Sequence, residues 1–217
     1  MKYPFVIFDW DGTLVDSEAR IISSMQAAGE DCGWQPPLTD EAVRNIIGLG
    51  LPEAIRHICP GIDDAGVEQM RAGYTHHFLE RSTLEMPLFN GVETGLTRLK
   101  AAGCTLAVAT GKSRRGLDRV LVDLALGSYF DLTRCADETR SKPDPLMLHE
   151  LLDEARFDVR DAIMVGDTEF DLGMAENAGM DRLAVTYGAH HPDRLQGYKP
   201  VFTADRFDQL VGWLLEE

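Results

Sequence analysis

Two carboxylates, Asp9 and Asp11, stand two residues apart at the end of the apolar run Phe5–Phe8. On an extended chain, residues two apart point to the same side. Both acids can therefore face one site while Trp10 points away. A second apolar run ends in Thr110-Gly111-Lys112, and a third ends in Gly166-Asp167, with Asp171 four residues on. Lys142 stands in a loop just ahead of a helix-like segment. One acidic pair alone reads as a helix cap or a solvated turn. Those readings do not account for a hydroxyl, a lysine and a further acidic pair recurring at other run ends. Together these groups suit nucleophilic and acid–base chemistry on an anionic group, given a counter-charge.

Something must hold groups so far apart in sequence at one place. From Gly91 onward, strand-like and helix-like segments alternate. The runs at 104–110, 161–167 and 181–188 read as strands. The segments 92–103, 113–127, 142–155, 168–179 and 204–217 read as helices. Gly103, Gly127 and Gly179 mark helix ends, Asp144 reads as an N-cap and Pro145 as the first helical residue. Continuous apolar strands separated by helices imply a doubly wound parallel sheet covered on both faces. Such sheets bind ligands beyond the carboxyl ends of their strands, where all the candidate residues fall.

Residues 16–86 break the alternation and favour helix throughout. The expected organisation is an α/β core of residues 1–15 and 87–217 with an inserted all-helical unit at 16–86. The crossings lie near residues 14–17 and 84–91. Trp34, Tyr74 and Phe78 are expected in the core of that insert. The adjacent histidines 76–77 and 190–191 point to different faces and are not expected to share a metal.

The net charge of −15, from 36 acidic and 21 basic residues, argues against nucleic-acid or membrane-surface binding, which needs a basic face. A small anionic substrate remains compatible, because one metal ion and a few cations reverse the sign locally. The four cysteines are widely spaced and read as reduced thiols of a cytoplasmic protein. No secretory leader or membrane-length apolar window is evident.

In order, "DWDGT" (9–13), "VATGK" (108–112), "KPDP" (142–145) and "VGDTEFD" (165–171) resemble the four motifs of the haloacid dehalogenase superfamily, nearest its phosphoglycolate phosphatase-like members. The resemblance covers essentially the whole chain. It implies a Rossmann-like core with a helical cap after the first motif, and a phosphatase acting through an aspartyl-phosphate. Asp9 would be the nucleophile. Asp11 would be the acid that protonates the leaving group and then the base that activates water. Mg²⁺ would be held by side-chain oxygens of Asp9 and Asp167 and by the backbone carbonyl of Asp11, with Asp171 orienting that shell or Lys142. Thr110, Gly111 and Lys142 would bind phosphoryl oxygens. Lys112 reads equally as a phosphate contact or as a solvated lysine opening a helix.

In the insert, Gly48 and Gly50 lie where the family reads its substrate, and Arg44 is a candidate leaving-group contact or a solvated surface residue. No lysine occurs between residues 14 and 86. This argues against relatives that use a cap lysine, phosphoglucomutases among them. The expected substrate is a small phosphorylated metabolite: phosphoglycolate, a sugar phosphate, a nucleotide or pyrophosphate. The competing functions are a sugar phosphomutase of the same superfamily and a binding protein that keeps the fold without turnover.

Overall fold

The structure, a computed structural model, describes residues 1–216. Six strands form one parallel sheet: β1 (Phe5–Phe8), β2 (Thr105–Thr110), β3 (Leu132–Cys135), β4 (Ala162–Gly166), β5 (Asp181–Val185) and β6 (Phe202–Ala204). Their order is β3-β2-β1-β4-β5-β6. The chain thus winds outward from β1 in both directions, which opens a crevice beside its carboxyl end. All four β1 residues are buried, and they alternate between two cores. Val6 and Phe8 join one hydrophobic cluster, Phe5 and Ile7 the other. A strand covered on both faces has no place for polar alternation, hence the unbroken apolar run.

Four helices follow β1: α1 (Glu18–Asp31), α2 (Asp40–Arg44), α3 (Leu51–Ile58) and α4 (Asp64–His76), the last running into a π-helical turn at His77–Arg81. They bury a separate apolar cluster that includes Ile21, Met25, Ile55, Met70 and Phe78, with Trp34 and Tyr74 packed against it. The two chain passages beside this unit touch each other. Val15 pairs antiparallel with Leu88, and the Asp16 N–H donates to the Pro87 carbonyl at 2.9 Å.

The core helices are α5 (Val92–Ala101), α6 (Arg114–Asp123), α7 (Leu146–Ala155), α8 (Glu169–Ala178), α9 (Pro192–Gln196) and α10 (Phe207–Leu215). Leu96 of α5, Leu117 of α6 and Leu210 of α10 pack on the Phe8 face. Leu148 of α7 and Met174 of α8 pack on the Ile7 face.

The sequence reading missed β3 and β6, the two edge strands. An edge strand is only partly covered, so "LTRC" and "FTA" carry polar residues and no apolar run. Short α9 was also missed. Helix α6 stops well before Gly127: Ala125 turns left-handed (φ 55°), which returns Leu126 to the core. Pro145 occupies the cap position rather than the first turn of α7, with the Asp144 carboxylate accepting from the Leu146 N–H at 3.0 Å. All four cysteines are free thiols, three of them buried. No helix among the described residues is long and apolar enough to cross a membrane.

Candidate active site

Phe8 is in register with Val108 on β2 and Val165 on β4. The residues just beyond these partners, Asp9, Thr110 and Asp167, therefore emerge side by side at the carboxyl edge of the sheet. Lys142 reaches them from the loop ahead of α7. Its Nζ lies 2.5 Å from Asp9 Oδ1 and 2.6 Å from Asp171 Oδ1, and all three side chains are essentially inaccessible to solvent. The two carboxylates hold the lysine's proton and raise its pKa against the burial that alone would lower it.

Asp171 is placed by the start of α8. Thr168 and Asp171 form a reciprocal capping box, and Asp171 Oδ2 accepts from the Thr168 N–H and hydroxyl at 3.0 and 2.7 Å. The cap that starts the helix thus also aims the carboxylate at Lys142. Asp167 is held separately, accepting from Thr13 Oγ1 at 2.8 Å and the Ala189 N–H at 2.7 Å. A Cβ at Gly12 or Gly188 would collide with the Asp167 carboxylate, and Gly12 is also left-handed (φ 82°). The Gly12 N–H is already taken by the Val15 carbonyl at 2.9 Å.

Asp11 faces the same cavity but has different neighbours. Its Oδ1 accepts from Ser17 Oγ at 2.5 Å and lies 3.0 Å from Lys112 Nζ. The Lys112 side chain is 9% exposed, and its ammonium stands 4.7 Å from the centre of the Phe78 ring. Lys112 is therefore not a solvated lysine; its partner in the structure is Asp11. Thr110 is fully buried, with Oγ1 accepting from the Lys112 N–H at 3.2 Å.

Oxygens of Asp9, Asp167 and Asp171 lie within 4.8 Å of one another. Burial, with Asp171 as a further like charge, holds Asp167 up to about 7. Asp9 is pushed well above the carboxylate range by burial, with Lys142 opposing and the other three acids adding. Three buried carboxylates share one lysine, which leaves excess negative charge, and oxygen ligands suit a hard divalent cation. Asp9 Oδ2 is buried with no hydrogen-bond partner among the described residues. Both Asp171 oxygens are engaged by Lys142 and Thr168 and both Asp167 oxygens by Thr13 and Ala189, so Asp9 Oδ2 is the one oxygen of the three carboxylates without a partner among the described residues. The donor set fits such an ion.

The turn after α2 lies over the site. A Cβ on Gly111 would strike the carbonyls of Gly48 and Leu49, and the Gly50 N–H donates to Ser141 Oγ at 2.8 Å, beside Lys142. Gly48 lines a cavity of about 320 Å³ above Asp9 and Asp11; Gly50 does not. Arg44 lies outside that lining, in an ion pair with Glu18 at 2.8 Å. Arg71, Tyr74 and Phe78 line the cavity instead. Ser17 and Arg71 were not singled out from sequence. Neither belongs to a motif, and only the closed turn and the helix packing bring them in.

Behind the site, His190 is 1% exposed, with Nδ1 accepting from the Glu169 N–H at 3.2 Å. Burial, helped by Arg194, lowers its pKa below the usual 6.5, while Glu169, Asp171 and the Asn45 carbonyl oppose. The folded chain therefore resists a proton that the unfolded chain accepts, so this residue's stabilisation is complete above about pH 6.5 and lost below it. We expect the unfolding-temperature gap between wild type and His190→Gln to narrow from about pH 7.5 to about pH 5.5. A gap constant across that range contradicts the assignment.

A family model described as haloacid dehalogenase-like hydrolase matches residues 6–185. "Probable phosphatase IndB" of Dickeya dadantii is 39% identical over 214 residues, covering 96% of this chain and 92% of that protein. A protein of Vibrio vulnificus named phosphoglycolate phosphatase is 29% identical, covering 97% and 95%. Among solved structures, a hydrolase from Pseudomonas syringae superposes with a TM-score of 0.88 at 19% identity, covering 97% of each chain. A haloacid dehalogenase-like family hydrolase from Streptococcus pneumoniae does so at 0.82 and 23%, covering 96% of this chain and 97% of the other. At those identities the superpositions speak to the fold.

Proposed function

Because the chain belongs to the haloacid dehalogenase-like hydrolase family and is a phosphatase within it, we propose that it hydrolyses a small phosphomonoester through a phosphorylated Asp9. The single observation that carries this reading is the Asp9 carboxylate: one oxygen held by Lys142, the other buried and unpartnered, with Asp11 in the same cavity.

An Asp9 oxygen forms a bond to phosphorus as the ester P–O bond breaks. Asp11 gives its proton to the departing alkoxide, so a neutral alcohol leaves. A water then yields a proton to Asp11 as its oxygen bonds phosphorus and the Asp9–phosphorus bond breaks, restoring both acids. Lys142 favours the charged form of Asp9 and aims it, and adds a point charge beside the phosphoryl oxygens with Thr110 and the Gly111 N–H. Ser17 and Lys112 fix the Asp11 carboxylate facing the leaving-group side. Asp9, Asp167 and the Asp11 carbonyl would hold Mg²⁺, which would offset the repulsion between carboxylate and phosphate, and Asp171 would orient that shell or Lys142.

The helical unit, residues 16–86, is proposed to be the cap that closes this site to water, on the core of residues 1–15 and 87–217. A cytoplasmic setting belongs to the same reading and is supported by the free thiols. Relatives named phosphoglycolate phosphatase make phosphoglycolate the reference ester for assays.

The test is p-nitrophenyl phosphate hydrolysis with and without EDTA. We expect chelation to remove activity to within background and added Mg²⁺ to restore it, because three buried carboxylates and a phosphate leave excess negative charge that Lys142 alone does not offset. Undiminished release in EDTA contradicts the proposal.

A further inference from the structure

The cavity above the two acids changes character along its length. At its floor stand Asp9, Asp11, Gly111 and Lys112. Away from them the walls come mainly from the helical unit: Ile21, Met25, Ile46 and Leu79, with the rings of Tyr74 and Phe78. Those rings stack on each other at 5.5 Å and 24°, and the Lys112 ammonium and Arg20 guanidinium stand 4.7 and 5.1 Å from the Phe78 ring centre. At about 320 Å³ the space is in the range that holds whole small-molecule ligands.

The charges on the lining give a second constraint. Besides Asp9 and Asp11, its charged members are Lys112, Arg71, Glu53 and Asp137. Lys112 is paired with buried Asp11 at 3.0 Å, and Arg71 is turned to Glu68 on the exposed rim through Nε at 2.9 Å. Two cations already in use and two further carboxylates give no welcome to a second anionic group. A carboxylate on the leaving group would lose its water against aliphatic walls without a dedicated partner. Apolar surface would bury there favourably.

Resting on the phosphatase reading, we propose that the leaving group is an uncharged alcohol with a mainly apolar body, and that esters carrying a second anion are poor substrates. Discrimination then resides in the helical unit, whereas the phosphoryl chemistry resides in the sheet.

The experiment compares three esters on the Mg²⁺-supplied protein: 2-phenylethyl phosphate, ethyl phosphate and phosphoglycolate. We expect kcat/KM for the phenylethyl ester to exceed each of the others by about tenfold or more, the scale on which a filled apolar pocket discriminates. The variant Thr75→Lys, at a partly exposed position on the cavity wall, should narrow the gap between the phenylethyl ester and phosphoglycolate by about tenfold by supplying a cation. Phosphoglycolate or ethyl phosphate turned over as well as the phenylethyl ester overturns the inference and leaves the phosphatase reading standing. An unchanged ratio in a folded Thr75→Lys protein also overturns it. If that variant does not fold, the wild-type comparison decides alone. No release from any of the three overturns the phosphatase reading and this inference with it.

Discussion

Asp9→Asn removes turnover by about 10⁴-fold or more while the protein stays folded, the scale of losing a covalent nucleophile. Asparagine has the shape of aspartate but no charge to attack phosphorus, and its nitrogen is no nucleophile for this step. The fold should tolerate the change, because Lys142 keeps its second carboxylate partner, Asp171, at 2.6 Å. Removing one of several acids from a buried cluster also relieves like-charge repulsion, since Asp171, Asp167 and Asp11 all oppose ionisation of Asp9. Circular dichroism and thermal unfolding should therefore match the wild type, with phosphate release at background. Residual activity within tenfold of wild type would mean that water attacks the ester directly.

Lys142→Met should damage both stability and rate. The lysine is 2% exposed and bridges Asp9 and Asp171. Methionine fills similar space but leaves two carboxylates facing each other in a dry pocket. Breaking a buried ion pair by deleting one partner costs about 3–5 kcal/mol. The same change removes a cation beside the reacting group, which lowers kcat by about 10²–10³-fold on the scale of other lost electrostatic donors. Adding Asp171→Asn to Lys142→Met should recover part of the stability and none of the rate. That split separates the two roles: the ion pair concerns the fold, the positive charge concerns the chemistry. A double variant that regained activity would show that Lys142 acts only by neutralising Asp171.

The sequence made some of this legible and concealed the rest for identifiable reasons. β1, β2 and β4 were readable because a strand covered on both faces must be apolar throughout, and each hands its polar residues to the same sheet edge. β3 and β6 were hidden because edge strands carry mixed residues. Asp9, Thr110 and Asp167 could be placed together because parallel strands present their carboxyl ends at one edge of the sheet. Asp171 could be read as orienting either the metal shell or Lys142; that Lys142 also engages Asp9, 133 residues away, could not. Ser17 gave no signal, since a serine after a turn is ordinary until the turn closes onto Asp11. Arg44 looked available because its charge is visible in sequence and its partner Glu18, 26 residues earlier, is not. The apolar cavity walls were read as ordinary helix core. Tyr74 and Phe78 do pack there, and they also face the acids.

The covalent role of Asp9 is tested most directly by rapid acid quench during turnover of p-nitrophenyl phosphate, followed by peptide mass mapping and by the stereochemical course at phosphorus. Two successive displacements predict a phosphoryl group on the peptide bearing Asp9 and overall retention of configuration. Phosphate released with inversion, and no adduct at Asp9 at any quench time, would contradict the account.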